Sequence, residues 1–241
     1  MKLRLFFALA FCSTVATAAQ PVPDAGLRAE MQGQWADAVE IYKQALKANP
    51  AQAHLWERIA DIRATQLKTP ERAAEALREA VKYVPMDARL HHKLSQAYAA
   101  AQDGPNALTA IKRAVEIEPN NTTYLRARGD VATWTGDHAL ALESFVRVLA
   151  ISPQDATAVL GAARAASHGG QNDAAVQHYR AYLELRPQDK NVMLEYLALE
   201  AERGNTQAVQ EYDAHYRQRF GESTEYWLRM ADIHAQVGNA S

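Results

Sequence analysis

Five prolines recur along this chain at an almost constant interval, and this period restricts the fold more than any other feature. They follow one another by 35, 34, 34 and 34 residues. A fixed period of this length is typical of a protein built from stacked structural repeats. In such a solenoid each unit packs on its neighbours, so we expect no single central core. The prolines are Pro50, Pro85, Pro119, Pro153 and Pro187.

Each proline closes a segment with the pattern of an amphipathic helix. The clearest copy, GDHALALESFVRVLAISP, runs from Gly136 to Pro153. Proline ends a helix because its ring has no N–H and clashes with the preceding turn. For this fourth unit we predict a first helix over about 121–135 and a second over 138–151. A sixth copy closes on Gly221 instead of proline.

The second helices share one apolar stripe. A small residue is followed by a large one four positions later. Another apolar residue comes three positions after that. This is the i, i+4, i+7 spacing of a buried helix face. The small residues are Ala38, Ala73, Ala107, Ala141 and Ala175; the large ones are Tyr42, Leu77, Ile111, Phe145 and Tyr179; the third set is Ala45, Ala80, Ala114, Val148 and Tyr182.

This combination of period, stripe and terminal proline resembles the tetratricopeptide repeat over about residues 21 to 238. The resemblance implies an all-α, right-handed superhelical solenoid of stacked helix–turn–helix repeats with about 13 helices. We expect one solenoid over residues 19–241. Its units end near residues 50, 85, 119, 153, 187 and 221, and a capping or half-repeat helix follows at 223–236. The sixth unit has a displaced pattern around Ala208 and Tyr212, so its packing is harder to predict.

The N-terminus has the layout of a secretory signal peptide. Lys2 and Arg4 precede an apolar run that leads to Ala16-Thr17-Ala18, which predicts removal of residues 1–18. The run is shorter than the roughly 20 residues of a membrane-spanning helix. We therefore expect a periplasmic protein, either free or associated with the outer membrane, with no transmembrane helix in the mature chain. The only cysteine, Cys12, lies in this segment, so the mature chain offers no disulfide or thiolate chemistry.

Charge and motifs argue against several other classes of function. The chain has 26 basic and 28 acidic side chains, and cleavage would remove two basic ones, so no nucleic-acid partner is indicated. The eight histidines include no HExxH motif and no pair spaced i, i+4. No nucleophile elbow or phosphate-binding glycine loop is present in the sequence. We expect a protein that is not an enzyme and needs no metal or cofactor.

The family resemblance places the partner-binding groove on one face of the successive first helices. It implies a protein or an extended peptide as the partner, held by side chains at equivalent positions in the second to fifth units. These positions are Glu57 and Asp61, then His92 and Gln96, then Arg126, Asp130 and Trp134, and finally Arg164 and His168.

Among the tryptophans, Trp134 has two interpretations. It follows Arg126 and Asp130 at i+4 spacing, so it could anchor a partner, since interface hot spots favour Trp and Arg. Alternatively, it packs against the following turn. Trp35, Trp56 and Trp227 occupy positions that suggest packing within their own units.

These observations favour a non-enzymatic periplasmic scaffold for protein–protein interactions in envelope or exopolysaccharide assembly. Two alternatives remain open. The repeats could be the N-terminal region of a longer protein of exopolysaccharide synthesis, modification or export, or the groove could bind a polysaccharide directly.

Overall fold

A computed structural model describes residues 22–240 of the chain, and this part contains 13 α-helices and no strand. The predicted signal peptide, residues 1–18, lies outside the described residues. The helices are α1 (Asp24–Met31), α2 (Trp35–Ala48), α3 (Ala53–Thr65), α4 (Pro70–Tyr83), α5 (Ala88–Ala100), α6 (Gly104–Ile117), α7 (Thr122–Trp134), α8 (His138–Ile151), α9 (Ala156–His168), α10 (Asn172–Leu185), α11 (Lys190–Glu202), α12 (Thr206–Phe220) and α13 (Thr224–Ala240).

The odd-numbered helices are the first helices of the repeats, and the even-numbered helices are the second ones. In the fourth repeat the side chain of Asn121 accepts hydrogen bonds from two backbone N–H groups and starts α7. The side chain of Asp137 accepts one from the Leu140 N–H and starts α8. Such caps satisfy donors that have no partner within the helix. Between the two helices Gly136 has φ +81°, a conformation that glycine adopts without strain.

The predicted apolar stripe forms the core, which continues from repeat to repeat. All five alanines of the stripe's first position are fully buried. In the fourth repeat the Phe145 ring packs on Gly129 of the same repeat and on Gly161 of the next. A methyl group added to either glycine would lie 2.7–2.9 Å from the ring. Together with 13 helices in residues 22–240, this packing confirms an all-α helical-repeat solenoid.

The sixth repeat inverts the size pattern of the others. Leu197, fully buried in α11, stands where the fourth repeat has Gly129, and Asp213 in α12 stands where it has Phe145. The Asp213 carboxylate accepts a hydrogen bond from the Tyr226 hydroxyl of α13 and lies 3.1 Å from Arg217. Burial, and then this hydrogen bond, raises the pKa of Tyr226. The sixth repeat therefore places a polar contact with α13 where the other repeats place an apolar side chain.

The last helix, α13, extends to Ala240 and lies against α11. The tryptophans expected to pack do so unequally. Trp56 is partly buried and its indole N–H donates to the Pro50 carbonyl at 2.9 Å, whereas Trp227 is 52 % exposed. None of the helices in residues 22–240 combines the length and apolar character needed to cross a bilayer.

Candidate partner-binding site

Two rows of side chains run along the first helices at intervals of 34 or 35 residues. We call them together the groove face. The first row is Glu57, His92, Arg126, Leu160, Leu194 and Leu228, and the second is Asp61, Gln96, Asp130, Arg164, Ala198 and Asp232. Seven of the nine residues predicted to bind a partner belong to these rows. Contacts join each pair of successive first helices from α3 to α13, so the rows follow one continuous side of the solenoid.

The two acidic residues of the second repeat are held by the third. Arg89 donates two hydrogen bonds to the Glu57 carboxylate, and Lys93 lies 2.8 Å from both Glu57 and Asp61. Burial alone would raise the pKa of Glu57, but the hydrogen bonds from Arg89 and Lys93 lower it below its ordinary value. The Glu57 carboxylate is therefore charged at neutral pH, and cations of the neighbouring repeat already pair with both carboxylates.

The third repeat contributes a polar but uncharged surface. The His92 ring lies 5.1 Å from the ring of Tyr124 in the next repeat, and Gln96 lies within 3.4 Å of the His92 Nε2 atom. Burial lowers the pKa of His92 because it penalises the imidazolium form. At neutral pH this region offers a neutral imidazole and an amide as hydrogen-bonding groups.

In the fourth repeat the two charged residues of the groove face have different surroundings. An Arg126 guanidinium nitrogen lies 3.2 Å from the Asp155 carboxylate, which also caps α9. Burial raises the pKa of Asp130, and the positive charge of Arg126 offsets only part of that effect. A cation from a partner would therefore stabilise the charged form of Asp130.

The structure places Trp134 beside the preceding repeat. Its indole is 45 % exposed, and a methyl group added to Gly104 would lie 3.4–3.5 Å from the ring. Trp134 shares a shallow cleft of about 490 Å³ with Pro105 and Leu108. The ring therefore packs beside the start of α6 in the preceding repeat, while roughly half of it still faces solvent.

The fifth repeat is joined to the sixth by a bidentate ion pair. Arg164 donates to the two carboxylate oxygens of Glu195 at 2.9 and 2.7 Å, and the Tyr179 hydroxyl donates to the same carboxylate at 3.2 Å. His168 is exposed and packs edge-to-face with His138, with 5.4 Å between ring centroids. Among the described side chains, no group of three or more His, Cys, Asp or Glu residues could hold a metal ion.

Sequence reasoning missed a cleft on the groove face. The cleft, of about 540 Å³, opens between α11 and α13. Half of its lining is apolar and half is polar or charged: Leu194, Ala198, Ile233 and Ala235, and Asn191, Glu195, Arg229 and Asp232. The period contained the necessary signal, since Leu160 and Leu194 follow Arg126 at steps of 34 residues. The groove face is therefore charged and internally paired toward the N-terminus, whereas toward the C-terminus it combines a row of leucines with the charged Arg164 and Asp232.

Comparison with known protein families identifies the type of repeat. Two family models described as tetratricopeptide repeat match the chain, one over residues 24–71 and 66–122 and the other over residues 135–194. No curated protein matches the chain at a significant level.

Solved structures share the fold at low sequence identity. They include YrrB, described as a TPR protein with an unusual peptide-binding site (16% identity, 80% of this chain and 98% of that one, TM-score 0.65). MamA from Desulfovibrio magneticus RS-1 has 20% identity, with 69% of this chain and 93% of that one covered and a TM-score of 0.61. PilW, described as a widely conserved type IV pilus biogenesis factor, has 21% identity, with coverages of 86% and 95% and a TM-score of 0.57. With the family matches and the repeat packing in agreement, this chain belongs to the tetratricopeptide-repeat family.

Proposed function

We propose that this protein is a non-enzymatic scaffold that holds a partner protein, through an extended segment, on the groove face. The observation that carries the proposal is the cleft between α11 and α13, where Leu194, Ala198 and Ile233 form an apolar surface beside polar and charged side chains. A scaffold for protein–protein interactions is what the tetratricopeptide-repeat fold supports, and the peptide-binding site described for YrrB is consistent with it.

The partner segment should match the uneven chemistry of this face. Leu194 and Ala198 are partly buried and offer apolar contact area, whereas Glu57, Asp61 and Arg164 already have partners in neighbouring repeats. A ligand charge would have to compete with these ion pairs, and exposed ion pairs contribute little affinity. We therefore expect apolar side chains in the C-terminal cleft to supply most of the binding free energy, with polar contacts at His92, Gln96 and Asp130.

We further propose a periplasmic location and a role in envelope assembly, including exopolysaccharide assembly as one pathway. The pattern of residues 1–18 supports export, and the likeness to PilW is consistent with an envelope role. Fractionation of the source cells, followed by the intact mass of the protein, tests the location. A species in the periplasmic fraction that lacks residues 1–18 is expected, whereas an unprocessed cytoplasmic species would contradict the proposal.

Site-specific photocrosslinking tests the groove. A photoreactive amino acid replaces Ala198 in α11 or, as the matched control, Gln177, an exposed residue of the second helix α10. We expect a discrete crosslinked partner from position 198 and none from position 177.

Substitution then measures the contribution of the cleft to partner affinity. Leu194→Lys should weaken binding of the crosslinked partner by at least about tenfold, which corresponds to 1.4 kcal/mol. Gln177→Lys should leave the affinity unchanged. Retention of full affinity by Leu194→Lys would show that the partner binds elsewhere on the solenoid.

A further inference from the structure

Four basic side chains on or beside the groove face already contact a carboxylate of a neighbouring repeat. The pairs are Arg89–Glu57, Lys93–Glu57, Arg126–Asp155 and Arg164–Glu195. Asp130, in the middle of its row, differs from these carboxylates. Among residues 22–240 no side chain forms an ion pair with it or donates a hydrogen bond to it. The charge that the protein leaves without a partner at this point of the groove is therefore negative.

The cation that acts on Asp130 is shared with another carboxylate. Arg126 lies one turn earlier on α7, and its guanidinium is 3.2 Å from Asp155. Burial raises the pKa of Asp130, and the positive charge of Arg126 offsets only part of that effect. One positive charge thus serves two negative ones, so a cation brought by a partner would meet an unpaired carboxylate.

Leucines continue the first row of the groove face directly after Arg126. Leu160 and Leu194 hold this position in α9 and α11, and both are partly buried against the core. Neighbouring helices pack about 8–10 Å apart. Three residues of a polyproline-II chain cover about 9 Å, and every third residue of such a chain faces the same side. An extended segment can therefore present one side chain to each successive repeat.

We propose that the partner segment is basic and apolar. A Lys or Arg of the segment pairs with Asp130, and apolar side chains about three and six residues away pack on Leu160 and Leu194. This is the segment that the proposed function places on the groove face, and the inference rests on that function. The apolar contacts supply most of the affinity, and the ion pair fixes the register of the segment along the groove.

An acidic segment fits this part of the groove less well. It would have to displace Asp155 from Arg126, or Glu195 from Arg164, and the Glu195 carboxylate also accepts a hydrogen bond from Tyr179. The cleft between α11 and α13 gives no preference of its own. Its Arg229 and Asp232 have opposite charges and lie three residues apart on one helix.

A random dodecapeptide library displayed on phage is a probe that requires no known partner. The intact wild-type protein and its Leu194→Lys variant serve as separate targets, and peptides enriched by the wild type alone are ligands of the groove. We expect these peptides to share a Lys or Arg that lies about three and six residues from Leu, Ile or Phe. The same library selected on Asp130→Lys should retain the apolar positions and replace the basic one by Asp or Glu.

A charge swap between protein and peptide then locates the basic residue. The most enriched peptide is synthesised with a fluorescein label, and its affinity is measured by fluorescence anisotropy. Asp130→Asn should weaken binding at least about threefold, and Asp130→Lys should weaken it further. Replacement of the peptide's basic residue by Glu should restore binding to Asp130→Lys.

The matched control for charge is Glu211→Lys. Glu211 is exposed on the second helix α12, at the position that Gln177 holds in α10. This variant changes the net charge as much as Asp130→Lys does and should leave the affinity of the original peptide within about twofold. Unaltered circular dichroism of all variants would show that the solenoid remains folded.

The outcomes separate this inference from the proposed function. Groove ligands with apolar residues but no basic preference, or with an acidic residue instead, would overturn the inference and leave the proposed function standing. Equal affinity of the peptide for wild type and Asp130→Asn would do the same. If no peptide is enriched, or if every enriched peptide binds Leu194→Lys as well as wild type, the groove itself is contradicted and both proposals fail.

Discussion

The fourth and sixth repeats fill the space between their two helices with opposite distributions of side-chain volume. In the fourth, a bulky ring on the second helix packs on glycine in the first, and in the sixth, leucine on the first helix faces a second helix that carries aspartate. Both arrangements produce buried first helices. The difference teaches that a repeat constrains the total side-chain volume between two helices more strongly than the identity of either residue.

The largest expected effect comes from removing the ring that defines the regular repeat. Phe145→Ala should lower the free energy of unfolding by about 3–5 kcal/mol, since it deletes a buried aromatic that contacts two repeats. Urea denaturation followed by circular dichroism measures the loss. The matched change in the sixth repeat, Asp213→Ala, should cost only about 1–3 kcal/mol through the lost Tyr226 hydrogen bond. Equal costs would show that the two repeats do not differ as described.

A double-mutant cycle tests whether the sixth repeat exchanges volume between its helices. Asp213→Phe should destabilise the protein by about 1–3 kcal/mol, because it overpacks a site where Leu197 is already buried. Adding Leu197→Gly recreates the size pattern of the fourth repeat and should recover part of that loss. We expect a coupling free energy of at least about 0.5 kcal/mol in denaturation experiments. Strict additivity would mean that the two positions do not share one space.

A smaller effect distinguishes the turns inside the repeats. The third repeat has Gln102 with φ +58°, where the fourth has Gly136. A side chain in this left-handed conformation is strained, so Gln102→Gly should raise the free energy of unfolding by about 0.5–1 kcal/mol. The change should appear as a higher midpoint of thermal unfolding. The reverse change, Gly136→Gln, serves as the control and should destabilise by a similar amount.

The smallest effect concerns the charged end of the groove face. The folded protein lowers the pKa of Glu57 below the ordinary value of 4.5, so the stabilisation by Arg89 and Lys93 is present above that value. It is lost as the pH falls through the lower, folded-state pKa. As the pH drops below about 4.5, the free energy of unfolding should therefore fall less for Glu57→Gln than for the wild type. The difference should be about 0.5 kcal/mol after allowance for solvent screening. Stability curves between pH 3 and 7 that coincide for the variant and the wild type would contradict this.

The repeat period made most of the fold predictable. It located proline-terminated helices such as α8, and the alanine and aromatic stripe identified buried positions such as Ala141 and Phe145. The sixth repeat escaped prediction because Asp213 occupies a large apolar position, and only the structure shows that Tyr226 is its partner.

The sequence predicts which positions share the groove face, but not which side chains contact one another there. The period places His92 and Arg164 on one side of the solenoid, yet it does not reveal that Glu195 neutralises Arg164 from the next repeat. Trp134 shows a similar limit. Its sequence spacing suggested a common stripe with Arg126, but an eight-residue step on a helix rotates the side chain by about 80°, and it packs beside Gly104.

The clamped ring of Phe145 has a mechanical consequence. Because the ring packs between Gly129 of the fourth repeat and Gly161 of the fifth, it resists rotation of one repeat against the other. Helices α2 and α3, and likewise α10 and α11, pack less closely on each other than α8 and α9 do. A partner that bends the superhelix would therefore change its curvature at these two junctions more readily than at the junction of α8 and α9, and the fourth and fifth repeats would move together as one rigid body.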